Sequence, residues 1–564
     1  MLTARIDRLA NRDKRLLQMA AVIGKDFSET LLAEVADLEP DALREGLAAL
    51  QAAEFVHETA VWPAMAYTFR HPLTQEVALG GQLADRRRKS HAAVARAIEA
   101  LNPERLDEMA ALIATHWSEA GEPRTSTAWW LRSARNTLAR FEHDQALAQV
   151  GHGLSELEKL PQDEGRWQAE LDLQVLAGGA LMTTLGHGGA ATAQAFNRAL
   201  ELCEKLPTSP QRVTVEFGAW VHLVHRLDFE RGLALCDRIL RRAVEEGSAD
   251  WRFMGLRARA QLYFHVGRFA ESLTDAELAI ADWDSGVTQG LAGLMHDPGV
   301  ISVHTYYSYA LVFLGRIAEA RREAIASVEL GRQSGHHLMV AQCLFTEAVF
   351  FDLIGQDDQA QPLMQATLEY ANEHGVAYFT AICSAYVGHM LARGGAPERG
   401  LPLVEAAVAG LKAAGSLVFV PGFLGRHGDV LTQSGSPEAA LPLFEESLAM
   451  IERSGSRREE PFVRTWRARA LAALGRDAEA DEELAGALEL ARAQGSPLLQ
   501  AYVLSELAPR LAQAGQADKA RQWLADCLAG FADEADAPIV TRIRTLLAQA
   551  SGAGDHRSKE LGHA

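Results

Sequence analysis

From residue 315 to residue 515 this chain places a glycine every 40 residues, at 315, 355, 395, 435, 475 and 515. A second series stands 20 residues after the first, at 335, 375, 415, 455 and 495. Glycine reaches positive φ without a Cβ clash, so it is the usual residue where a helix stops and the chain turns. Two such stops per period predict two helices of about 16 residues each, a helical hairpin repeated in tandem.

The residues between the glycines show how the helices would pack. Seven before the first glycine of each period stand Ser308, Ala348, Gly388, Gly428, Ala468 and Ala508; five after it stand Ala320, Ala360, Gly400, Ala440, Ala480 and Ala520. Twelve after it come Ser327, Thr367, Ala407, Ser447, Ala487 and Cys527. Small side chains at these places let the two helices of a hairpin approach closely. Large apolar residues fill the rest of the seam, with Leu311, Phe351, Leu391, Leu431, Leu471 and Leu511 four before the glycine. Met364, Val404, Phe444, Leu484 and Leu524 stand nine after it. Ala260, Gly267, Ser272 and Ala279 place an earlier unit in the same frame. The order resembles the tetratricopeptide repeat, stretched from its usual length of about 34 residues.

Upstream the pattern loosens. Hairpins are expected over 166–205 and 211–246, and eight extra residues sit in 284–302. The expected organisation is a small module over 1–72, linking helices and a first hairpin over 73–160, and irregular hairpins over 161–302. Regular repeats follow over 303–546, then a flexible tail over 547–564, where apolar periodicity ends. The fold class expected is all-α, a tetratricopeptide-like solenoid with a small N-terminal winged-helix module.

That module is read from three helices and a hairpin. Residues 4–22 carry Ile6, Leu9, Leu16, Leu17 and Ala20 on one helical face, and Gly24 ends the helix. Ser28 is placed to cap a second helix over 29–38, and Pro40 to open a third with Leu43, Leu47 and Leu50 on one side. Two β-like pieces, 54–60 and 66–70, flank the turn-like VWPAM. Such a module invites a DNA-binding reading, but residues 1–65 hold seven Lys and Arg against eleven Asp and Glu, a balance of −4. The would-be recognition helix offers Arg44 as its one basic group, plus Gln51, whereas a groove reader needs several donors for phosphates and base edges.

The whole chain carries a formal charge of −19, which also argues against a general nucleic-acid or anionic-membrane binder. Apolar residues at 48% and charged residues at 23% exclude wholesale disorder. Cysteines at 203, 236, 343, 383 and 527 form no CxxC pair, so a reducing, cytoplasmic setting is expected. Residues 374–392 hold no Asp, Glu, Lys or Arg, near spanning length. They include two His and two Gly and fall in register with the repeat, so a buried helix and no membrane span is expected.

Chemistry-bearing motifs are few. The Gly24-Lys25 pair has no glycine five before it and no Ser or Thr after it, so no phosphate loop forms. No HExxH, GxSxG, kinase or dinucleotide signature appears. The run Arg86-Arg87-Arg88-Lys89 fits a grip on phosphate or an acidic surface, but the solvated face of a helix over 73–101 is favoured. His116 and the pair His336-His337 lack a second ligand at metal spacing. Trp117, Trp129 and Trp130 are expected to anchor a core, and Cys343 and Cys383, one period apart, to pack. No catalytic residue, cofactor or metal ligand is predicted.

Particular stretches are similar to a known family. YTFRHPLTQEVALGGQLADRRRKSHAAVARAIEAL, residues 67–101, resembles the segment after the ATPase core in bacterial signalling ATPases of the STAND type. Phe69, Arg70, His71, Leu73 and Glu76 match the pattern that opens a long helix there. Residues 113–134 resemble the first hairpin of that family's repeat region. Residues 178–206 and 295–300 resemble the arms of such ATPases fused behind class III adenylyl or guanylyl cyclases. The resemblance implies a parent protein that reads cyclase, P-loop ATPase, winged helix, then repeats. It implies for this chain a regulatory arm without catalysis, whose repeats sense a protein partner or small ligand on a concave face. A nucleotide-binding module would be its partner in cis or in trans. Arg70, His71, Arg86, Arg87 and Arg88 are the expected interface with that module. For Arg70 and His71 a satisfied strand-to-helix junction fits equally. A DNA-binding regulator, or a fragment of a cyclase whose catalytic domains lie upstream, are the other readings.

Overall fold

A computed structural model describes residues 2–60, 65–140, 142–184, 187–288, 299–532 and 537–560. The chain is an all-α tetratricopeptide-like solenoid with a small α/β head, and it divides into two compact units: Met1–Thr184 with Gln194–Ser209, and Leu185–Ala193 with Pro210–Ala564.

Helix Asn11–Ile23 is followed by β1 (Asp26–Ser28), helices Glu29–Ala36 and Pro40–Ala52, then β2 (Val56–Ala60) and β3 (Ala66–Phe69). The antiparallel sheet runs β1–β3–β2, with Phe27 opposite Tyr67. The Ser28 hydroxyl accepts the Leu31 N–H at 3.2 Å, and Pro40 stands in the first helical turn, as their types predict. Leu43, Leu47 and Leu50 are buried with Leu16, Leu17, Phe27 and Phe69 in one core. Two expectations need correction. The helix read over 4–22 is two, Leu2–Ile6 and Asn11–Ile23; the bend between them lets Ile6 reach the core while Lys14 holds Asp7 at 2.6 Å across the gap. The three-residue β1 was not foreseen. Residues 61–64 of the expected turn lie outside the described residues.

The helix read over 73–101 is also two, Pro72–Gly80 and Ala84–Leu101. Gly80 and Gly81 end the first, since successive glycines have the lowest helix propensity short of proline. Long helices follow to Glu164–Thr184 and Ala190–Lys205, where Arg198 grips Glu170 at 2.6 Å.

The second unit holds eight helical hairpins among the described residues, from Arg212–His225 with Phe229–Glu246 to Pro497–Gln513 with Ala517–Ala529. All eleven glycines of the two series have φ between 62° and 86°. The predicted small-residue contacts are present: the Ser308 hydroxyl donates to the Ala320 carbonyl at 3.2 Å, and Ser272 to the Ala260 carbonyl at 2.8 Å. At Gly388 a Cβ would stand 2.6 Å from the Gly400 oxygen, so this pair is pressed backbone to backbone. Second helices bury one stripe, as in Asp357–Glu373, where Ala360, Met364, Thr367 and Ala371 are the buried residues. First helices are buried nearly all round: Phe345, Val349, Phe350 and Phe351, on different sides of His337–Leu353, are each at most 5% exposed.

The reason lies in contacts between hairpins five apart. Leu417 N–H donates to the His225 carbonyl at 2.7 Å, Arg458 N–H to His265 at 3.2 Å and Ile539 N–H to Ile354 at 3.1 Å. The Ser496 hydroxyl donates to the Phe313 carbonyl at 2.6 Å. Each bond joins the end of one first helix to the start of the first helix five hairpins on. The solenoid of this unit therefore winds with its successive turns in contact. Helix Pro538–Glu560 enters the stretch 547–564 read as a tail, and it buries Leu546 and Ala550. Residues 561–564, and residues 289–298 of the stretch 284–302 that holds the eight extra residues, lie outside the described residues. No helix of the described residues is long and apolar enough to cross a membrane.

Candidate functional site

The five basic residues expected at an interface lie in the first unit, and most face solvent. Arg70 leaves β3 and pairs with Glu54 at 2.8 Å, both side chains more than half exposed. His71 is exposed at the start of helix Pro72–Gly80, and its ring caps nothing. The junction's backbone is satisfied, Arg70 N–H reaching Phe55 O at 3.0 Å and Thr74 N–H reaching His71 O at 2.9 Å. Arg86 and Arg88 are exposed, Arg87 half-buried, and Arg88 is held only at 3.8 Å by Asp85. Along the same stretch Leu73 and Leu83 are 52% and 82% exposed.

Other sequence candidates find structural roles. Trp117 donates to Glu99 at 2.7 Å and Trp130 to the Ser118 hydroxyl at 3.2 Å, with both rings buried; Trp129 is half-buried under Arg132. All five cysteines are buried. His337 stacks on His374 at 3.9 Å and bonds the Tyr370 hydroxyl at 2.8 Å. His116 has a partner that its spacing did not reveal: its Nδ1 lies 3.0 Å from Nδ1 of His91, and both rings are buried. Burial, with the His91 charge adding, lowers His116 to about 4.

A dense polar arrangement lies inside the second unit, where no motif was read. Residues one period apart stack there on consecutive first helices. His389, Asp429 and Arg469 form one ladder: His389 Nε2 is 2.9 Å from Asp429, whose other oxygen is 3.5 Å from Arg469, which reaches Glu506 at 2.9 Å. Burial lifts the Asp429 carboxyl, but the His389 hydrogen bond and the Arg469 charge outweigh it and hold the group below the usual carboxylate range. Tyr386, Arg426 and Trp466 form the other ladder. The Arg426 guanidinium lies 4.3 Å from the Tyr386 ring centre and 5.4 Å from that of Trp466. Beside it, Arg458 pairs with Glu459 and lies over Phe264 at 5.0 Å. Phe264, Tyr309, Phe345, Phe419 and Phe462 wall the space between, leaving a cavity of 20 Å³, room for about one water. Here the inward face of the solenoid is filled rather than an open groove. The 40-residue spacing of 389, 429 and 469, and of 386, 426 and 466, was the sequence signal that would have found it.

No protein-family model and no curated protein matches the chain. Among solved structures it is similar to a Rap protein complexed with competence and sporulation factor, at 13% identity and TM-score 0.48, over 66% of this chain and 99% of that one. It is also similar to a signal transduction ATPase with numerous domains from Pyrococcus horikoshii that carries a tetratricopeptide repeat sensor. That match has 11% identity and TM-score 0.35, over 92% of this chain and 66% of that one. The apo form of the quorum sensor NprR from B. thuringiensis matches at 13% identity and TM-score 0.39, over 64% of this chain and 98% of that one. These are likenesses of repeat architecture and bear on neither ligand nor partner.

Proposed function

We propose that the chain is a non-catalytic, cytoplasmic regulatory and protein-interaction scaffold, the sensor arm of a STAND-type signalling ATPase that works in cis or in trans with a nucleotide-binding module. The observation that carries this reading is the exposed basic and apolar stretch from Arg70 to Arg88. Leu73 and Leu83 stand in water there beside Arg70, His71, Arg86 and Arg88, a combination suited to covering by a protein surface. The DNA alternative is weakened by the helix Pro40–Ala52 of the head. Arg44 is held by Asp41 at 2.6 Å and Gln51 by Glu58 at 2.9 Å, so both donors available for a groove are engaged within the module.

In operation, a partner taken up by the repeats would shift docking of the head against the nucleotide module. The test is binding of the full chain to a separately purified STAND nucleotide-binding module by calorimetry. Wild type is expected to bind, and the Arg70→Glu, Arg86→Glu, Arg88→Glu variant to bind at least about tenfold more weakly. Absence of wild-type binding, or an unchanged affinity in the variant, overturns the reading.

A further inference from the structure

Two of the bonds that join hairpins five apart end on histidine carbonyls, and the imidazoles of the same residues are sealed into the seam. His225 and His265 stand one period apart, each two residues before the positive-φ residue of its turn, Leu227 and Gly267. Their carbonyls accept the Leu417 N–H at 2.7 Å and the Arg458 N–H at 3.2 Å. His225 is buried, with Nδ1 sealed from solvent and no partner for it among the described residues. Its ring stacks on His187 at 4.4 Å and meets the Tyr378 ring edge-on at 5.6 Å. His265 is 1% exposed, and both its ring nitrogens are sealed without a partner among the described residues. It lies among Phe229 at 5.6 Å, Tyr306 at 5.9 Å and Phe419 at 6.4 Å. Tyr378 and Phe419 come from later hairpins, so closing the seam completes both burials.

A ring sealed in this way stays neutral, because the groups that face it offer a proton no counter-charge. Around His225 these are His187, His222 and His265, with Arg226 and Arg231 acting on His222. His265 faces Arg458, which is already paired with Glu459 and whose charge opposes a second cation. Arg257 and Arg458 both act on the neighbouring Tyr306. Ring faces attract a cation, but more weakly than water hydrates it. Burial accordingly holds His225 and His265 well below the ordinary imidazole value, and His187 at about 4. The other two joints differ, since their acceptors belong to Phe313 and Ile354, whose side chains do not titrate.

We propose that acid releases the first two joints of the winding and leaves the last two closed, a proton being held on His225 or His265 only when the seam around that ring opens to water. Above the ordinary imidazole value both rings are neutral whether the seam is open or closed, and pH does not move the joint. Below about 6.5 an opened ring takes up a proton and a sealed one does not, so opening gains about tenfold per pH unit for each histidine. The first helices Arg212–His225 and Ala249–His265 then part from the chain before Val420–Gln433 and Glu460–Ala473, which uncovers the ring-filled inner face. This inference is independent of the proposed partner of the head.

The experiment follows amide exchange of the full chain at pH 7, 6 and 5, corrected for the intrinsic pH dependence of exchange. Protection of the Leu417 and Arg458 N–H groups is expected to fall at least about tenfold between pH 6 and pH 5 while that of Ile539 holds. His265→Phe, which repeats the residue found at the equivalent place 313, should cancel the fall at Arg458 and keep it at Leu417. Equal falls at Arg458 and Ile539, protection independent of pH at both histidine joints, or an unchanged fall at Arg458 in the variant overturns the proposal. Where His265→Phe fails to fold, the wild-type contrast with Ile539 decides alone.

Discussion

His91 and His116 face each other Nδ1 to Nδ1 at 3.0 Å, so a hydrogen bond between them requires that one of these atoms, and only one, carry a proton. Burial depresses both imidazoles, His116 from 6.5 to about 4. A depressed histidine is neutral in the fold while the unfolded chain takes up a proton below about 6.5. Stability from His116 is therefore complete above pH 6.5 and falls as pH drops toward 4, by about 1.4 kcal/mol per pH unit. His116→Gln, which keeps a polar side chain but does not titrate, should remove that slope; urea denaturation at pH 7, 6 and 5 measures it. An unchanged slope would show that the pair does not stay neutral. This pair was not legible, because 25 residues along the chain say nothing about two helices that cross. Arg426 was missed for another reason: one arginine carries no motif, and only its place one period from Tyr386 and Trp466 marks it.

Helices and turns were the most legible level, since glycine at positive φ and small residues at a seam act locally. The two roles of glycine separate by experiment. Gly400 presses on the Gly388 carbonyl, so Gly400→Ala should drive the helices Ala377–Arg393 and Pro397–Ala413 apart at a cost of about 1–3 kcal/mol. Gly410 lies in the same helix with open space around it, and Gly410→Ala should leave stability unchanged or raise it by up to about 1 kcal/mol. Chemical denaturation of the two variants side by side checks the contrast. Where the reading failed, the deciding forces were not local. The bend after Ile6 is set by the core beneath it, and β1 exists because Phe27 has Tyr67 to stack on at 5.8 Å. Three residues alone give no alternation to read.

At the scale of the second unit, the period yields the hairpin but not the rotation from one hairpin to the next, and the rotation decides which turns meet. The bond from Ser496 to the Phe313 carbonyl spans 183 residues and had no sequence signature. Ser496 also caps its own helix, accepting from Leu499 N–H at 3.2 Å. Ser496→Ala should cost about 1–2 kcal/mol and speed amide exchange in Val300–Phe313 as well as in Pro497–Gln513. A rise confined to the second helix would show that the cap alone matters. In a simple stack each repeat touches only the one before and the one after, and repeats are added or dropped with little consequence. Here the first four hairpins also meet the helices five places on, like bricks in a round tower whose courses must align. Gain or loss of a single 40-residue repeat between Ile354 and Leu417 would shift later courses by one brick and leave Leu417, Arg458, Ser496 and Ile539 facing the wrong acceptors. Repeat number, ordinarily the freest variable in the evolution of such proteins, is frozen in this one.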